Sequence, residues 1–157
     1  ADTVNRWFGS LKECGKYTVS DSVKEQIQAL FAAGCCDDAQ TKATIGSTYS
    51  EYGYLADTHT AVGIDVCNAY IEKTGDKTPV VIASTASPFK FSKAVLSAVE
   101  GEPKQYDDEF STVSALEEIS KLSAPAQLSA LKGKEVRFTK VTSKDDMAAV
   151  VFDMLGI

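Results

Sequence analysis

Trp7, Phe8 and Leu11 recur at helical spacing between Thr3 and Cys14, and Gly15 follows directly, so the chain opens on a predicted helix with a glycine stop. Tyr17 to Val19 reads as a short extended link. Ser20 caps a second predicted helix, with Val23, Ile27, Leu30 and Phe31 on one face and Gly34 at its end. Asp37 or Asp38 begins a third, ending near Tyr52 and Gly53. Thr58 or a neighbour starts a longer one through Val62, Val66, Ala69 and Tyr70 to Lys73. At Gly75-Asp76 the chain turns and the pattern changes. Val80, Val81, Ile82 and Ala83 form an unbroken apolar run, which suits a strand buried on both faces. Ser84, Thr85 and Ser87 follow at once, then Pro88 and an apolar-periodic helix from Phe89 to Val99. Gly101 to Asp108 is polar and reads as a surface loop. Two short helices come next, over Ser111 to Leu122 and Pro125 to Leu131. Val136 to Val141 alternates weakly as a second strand, and Ser143 caps a last helix ending at Gly156.

So many helices with only two strands make an odd independent domain. A parallel strand needs neighbours, and both faces of its sheet need cover. Val80 to Ala83 is therefore expected to belong to a larger α/β sheet whose other strands lie outside this chain. Apolar surface left exposed where that sheet belongs predicts self-association. In open α/β sheets, ligands sit at the carboxyl ends of the strands. That is where Ser84, Thr85 and Ser87 stand, ready either to hydrogen-bond a cofactor or to cap the helix that follows.

Composition narrows the function classes. A net charge of -6 at pH 7 and a pI near 4.8 argue against a nucleic-acid surface, which needs clustered Lys and Arg. No apolar run is long enough to span a membrane and no basic-then-apolar leader opens the chain, so a cytoplasmic protein is expected. The first residue is Ala1 rather than methionine, as expected of an excised piece. Cys14, Cys35, Cys36 and Cys67 have no C-x-x-C spacing, and His59 is the sole imidazole, so neither zinc nor any other metal is expected. Reduced thiols are the default. The glycines are scattered, and no G-x-G-x-x-G or G-x-x-x-x-G-K-[ST] phosphate cradle is present.

Two segments carry more than periodicity: GYLADTHTAVG, from Gly53 to Gly63, and TGDKTPVVIASTASPFKFSKAV, from Thr74 to Val95. Their D-T-H-T-A-V and S-T-A-S-P-x-K-F cores, in this order, closely resemble the C-terminal part of threonine synthase. The likeness extends upstream to Val19-Ser20-Asp21 and downstream to about Glu100. It implies an α/β fold: a helix-rich C-terminal portion, with few parallel strands, of a three-layer, tryptophan synthase β-like large domain. Residues 1–157 would be the C-terminal segment of that domain. It also implies a lyase that uses pyridoxal phosphate (PLP) to convert O-phosphohomoserine and water to threonine and phosphate, in threonine biosynthesis.

By the same resemblance, the Thr85 hydroxyl lies beside the pyridine nitrogen of PLP, and Ser84 shares that contact. His59 and Thr60 fall on the active-site side of the domain and are weaker candidates for shaping the pocket. Many family members carry His at the position of Ser87, so capping is the role expected there. The lysine that bonds the PLP aldehyde, the phosphate loop and an S-N-x-E-R stretch lie upstream of these segments in the family, the last of them just before Ala1. The lysines present sit beside acidic neighbours, as in Lys24-Glu25 and Lys144-Asp145, and read as solvated, as do Lys90 and Lys93. The chain alone is thus expected to be inactive, to hold PLP poorly, and to need the missing N-terminal portion as its partner. One alternative is a free-standing, non-catalytic binding or regulatory module of the same descent. Another draws Asp57, His59 and Ser84 as a hydrolase triad, but the nucleophile elbow G-x-S-x-G is absent.

Overall fold

The structure is a computed structural model that describes residues 1–101 and 104–157; Glu102 and Pro103, within the expected 101–108 loop, lie outside the described residues. Its helices are α1 (Asp2–Cys14), α2 (Asp21–Gln28), α3 (Asp38–Tyr52), α4 (Thr58–Thr74), α5 (Ser92–Val99), α6 (Glu109–Ser120), α7 (Ala126–Ser129) and α8 (Met147–Leu155). A 3-10 turn, Pro88–Phe91, leads into α5. Local chemistry fixes most boundaries. Ser20 accepts from the Val23 N–H at the start of α2. Asp37 and Gln40 form a reciprocal capping box on α3. Gly15, Gly53 and Gly75 end α1, α3 and α4 in the left-handed conformation, where a side chain is disfavoured.

The core is built by α3, α4, α5 and α6. Ile45 of α3, Ala61 of α4, Val95 and Leu96 of α5, and Val113 and Leu116 of α6 are buried together. Leu55 and Ala56, in the link between α3 and α4, join them, as does Phe89 from the 3-10 turn. The helix α3 meets the core with Thr41, Thr44 and Thr48 beside Ile45, so its buried face is largely hydroxyl-bearing. Hydrogen bonds stitch the helices across long sequence distances. Tyr49 donates to the Ile119 carbonyl at 3.1 Å, and the Ser92 and Thr112 hydroxyls meet at 2.7 Å. Gly46 lets α3 approach α5 closely: a Cβ there would lie 2.8 Å from the Ala98 carbonyl oxygen. By contrast α1, α2, α7 and α8 contain no buried residue.

The helix-rich character expected of this portion is present, but four local expectations are corrected. Val80 to Ala83 is not a strand, and neither is Val136 to Val141. Among the described residues neither run has a ladder partner, and Val81 and Val141 are 95% and 94% exposed. An isolated strand leaves its N–H and C=O groups unpaired, so an apolar run without a neighbour does not settle into one. The helix α2 stops at Gln28 rather than near Gly34, because Leu30 and Phe31 find nothing to pack on and remain exposed. Finally, α8 begins at Met147, with the Ser143 hydroxyl instead accepting from the Asp146 N–H in the preceding turn.

Gly46→Val is expected to destabilise the core by about 1–3 kcal/mol in urea unfolding, since backbone rather than a flexible side chain blocks the new group. Gly9→Ala in α1 meets nothing within 4 Å and should instead add helical signal in circular dichroism.

Candidate functional site

The link from α3 to α4 delivers a carboxylate into the protein. Asp57 is only 1% exposed and forms the N-cap of α4. Its Oδ1 accepts from the His59 N–H at 2.9 Å and the Thr60 N–H at 3.3 Å, while Oδ2 accepts from the Thr60 hydroxyl. The His59 Nδ1 lies 3.2 Å from Oδ1. Burial pushes the Asp57 carboxyl up, but the Thr60 hydroxyl, the two N–H groups and the His59 ring together outweigh it and hold the acid below its ordinary range. The positive end of the α4 dipole favours the same charge.

From Asp57 the network runs outward to the candidate segment. Thr60 Oγ1 lies 3.2 Å from Ser84 Oγ, and the Tyr54 hydroxyl lies 3.2 Å from the same atom. The apolar run that precedes Ser84 lies along α4, where Ile82 Cγ2 comes 3.4 Å from the place a Cβ would occupy on Gly63. An open apolar groove of about 530 Å³ there is lined by Leu30, Phe31, Val66, Tyr70, Val80 and Val81. Thr85 is exposed, and its hydroxyl makes no hydrogen bond among the described residues. Ser87 accepts from the Phe89 N–H at 3.4 Å and caps the 3-10 turn.

Thr60 and Ser84 are therefore brought together, with Thr85 beside them in sequence. His59 faces elsewhere. Its ring is 62% exposed, sits 4.9 Å from the Phe91 ring, and borders a separate groove of about 650 Å³ shared with Lys42, Lys93, Cys36 and Thr41. The triad drawing does not form: His59 reaches Asp57, but Ser84 is bonded to Thr60 and Tyr54 instead. Tyr54 had no signal in the sequence. Asp57 had one, since an aspartate just before a helical pattern marks a cap. Among the described residues no group of three His, Cys, Asp or Glu side chains could hold a metal ion, and no helix is long and apolar enough to cross a membrane.

Comparison with known proteins gives this geometry a family. Residues 60–151 match the family described as "Threonine synthase, C-terminal". Threonine synthase of Saccharomyces cerevisiae is 36% identical over 105 residues, covering 64% of this chain and 20% of that protein. The human "Threonine synthase-like 1" is 34% identical over 93 residues, covering 59% of this chain and 12% of that protein. The crystal structure of the yeast threonine synthase superposes with a TM-score of 0.70 at 26% identity, over 99% of this chain and 30% of that one. A PLP-bound threonine synthase from Brucella melitensis does so with a TM-score of 0.58 at 32% identity, over 76% and 24%. The chain belongs to the threonine synthase family and matches its C-terminal part. It spans only 20% of the yeast relative's length.

A neutral hydroxyl with an uncommitted proton, exposed at Thr85, fits the ring nitrogen of PLP, which accepts a hydrogen bond when unprotonated. The pH behaviour of Asp57 is a direct test of the network behind it. The folded state holds this acid below its unfolded pKa, so its contribution is complete above the ordinary aspartate range and is lost as pH falls through the lower folded value. Asp57→Ala should cost about 0.5–2 kcal/mol at pH 7 in urea unfolding. The gap to wild type should narrow at acid pH.

Proposed function

We propose that this chain forms the C-terminal segment of a threonine synthase large domain and supplies the pyridine-side wall of its PLP site. The whole protein would convert O-phosphohomoserine and water to threonine and phosphate in the cytoplasm. Membership of the family supports this, as does the PLP held by the Brucella relative. The observation that carries it is the exposed Thr85 hydroxyl, set beside a Ser84 tied to α4.

PLP, when bound, supplies an electron sink for carbanion chemistry. The part of this chain is to orient and to tune. A carboxylate facing the ring nitrogen would keep it protonated and strongly electron-withdrawing. The Thr85 hydroxyl donates a hydrogen bond without fixing a positive charge, which suits elimination chemistry that needs no long-lived carbanion. Ser84 contributes to the same wall, Thr60 supports it from behind, and His59 shapes the neighbouring groove. The proton-moving group and the phosphate cradle belong to the N-terminal portion. That portion also covers the apolar groove along Val80 and Val81, and without it the same surface drives self-association.

Phosphate release from O-phosphohomoserine, measured for the 157-residue chain and for the full-length protein carrying it, tests this reading. Activity is expected only at full length, and there Thr85→Val should lower kcat and PLP affinity by about tenfold, the worth of one good hydrogen bond. A full-length protein that binds no PLP would support the non-catalytic module instead. Unchanged kinetics and affinity in Thr85→Val would remove Thr85 from the site.

A further inference from the structure

We infer that Tyr54 is a positioning residue for the cofactor wall: its hydroxyl clamps Ser84 and so fixes the stretch of backbone that presents Thr85. The inference rests on the PLP reading above and adds to it a residue outside both motif cores.

The segment needs such a clamp. Val80 to Ala83 has no ladder partner among the described residues, and Val80, Val81 and Ile82 stand exposed. Neither pairing nor deep burial therefore fixes the residue that follows. Beyond it the 3-10 turn is anchored, since Phe89 lies in the core and Ser87 Oγ accepts from the Phe89 N–H. Thr85 sits between a loosely held run and a fixed turn, with only Ala86 separating it from Ser87. On the loose side the hold is Ser84, whose Oγ accepts from the Tyr54 hydroxyl at 3.2 Å and from the Thr60 hydroxyl at 3.2 Å.

The two donors are not equivalent. A hydroxyl carries one proton. That of Thr60 has a competing acceptor, because the same oxygen lies against the charged Asp57 carboxylate. Tyr54 has no other hydrogen-bond partner among the described residues, so its proton goes to Ser84 alone. Tyr54 is also firmly rooted. It stands between Gly53, which closes α3 in the left-handed conformation, and Leu55, which is buried in the core. Backbone fixed on both sides aims an exposed ring at Ser84. The bond spans 30 positions and ties the end of α3 to the start of the S-T-A-S stretch. Its loss frees Ser84, and with it the direction of the neighbouring Thr85 hydroxyl, while removing nothing from the core.

Tyr54→Phe in the full-length protein keeps the ring and removes only the donor. In a titration of PLP absorbance it should weaken binding between about twofold and about tenfold, the net worth of one hydrogen bond. With PLP labelled at the pyridine nitrogen, the nitrogen-15 shift should move toward its value in Thr85→Val. In a Ser84→Ala background, where the acceptor is gone, Tyr54→Phe should cost nothing further. Wild-type affinity in Tyr54→Phe, an unmoved ring-nitrogen shift, or a loss that adds in full to that of Ser84→Ala would overturn the inference and leave Thr85 in the site. A urea midpoint that falls along with affinity would make the role of Tyr54 structural and overturn it too. Wild-type affinity in Thr85→Val would bring down the PLP reading and this inference with it.

Discussion

A buried carboxylate has to be answered by donors, and the organisation of this chain around Asp57 follows from that demand. Left alone in an apolar setting, an ionised carboxylate costs several kcal/mol. Here two N–H groups and the Thr60 hydroxyl converge on it, and all come from the first turn of α4. The helix can begin nowhere else without stranding the charge. Because Leu55 and Ala56 precede Asp57 into the core, the same contact fixes how α3 leads into α4. Because Thr60 continues to Ser84, it also fixes where the S-T-A-S segment lies.

Around that point the molecule divides into a built part and an unsupported part. The core of α3 to α6 is closed by Leu96 and Leu116 and tightened by the Gly46 approach to α5. Outside it, α1, α2 and α8 bury nothing, and large apolar side chains such as Leu30, Phe31, Val81 and Val141 stand exposed. Soluble proteins seldom leave contiguous surfaces of this kind open. A chain that spans only 20% of its yeast relative's length has an evident source of cover, and we propose that the rest of the enzyme provides it.

The sequence was most legible where structure is set locally. Ser20, Asp37, Gly15 and Gly53 mark their helix ends within reach of their own neighbours, and each appears where capping chemistry puts it. It was misleading where a partner decides the outcome. The Val80 run has the composition of a strand, but a strand is a relation between two segments, and the second is not among the described residues. The helix α3 shows the reverse case: its buried threonines leave no apolar stripe, and only its caps betray it. At the candidate site, the motif resemblance drew attention to Ser84, Thr85, His59 and Thr60. No local pattern could pair Tyr54 with Ser84 across 30 residues, or turn His59 toward a groove that neither Ser84 nor Thr85 lines.

The central claim is that a neutral hydroxyl from this chain, and no charged group, meets the cofactor ring. Nitrogen-15 NMR of the full-length protein loaded with PLP labelled at the pyridine nitrogen measures that contact at the atom concerned. The account predicts the shift of an unprotonated, hydrogen-bonded nitrogen, moving toward the free neutral value in Thr85→Val. A pyridinium shift, or one indifferent to Thr85, would contradict it.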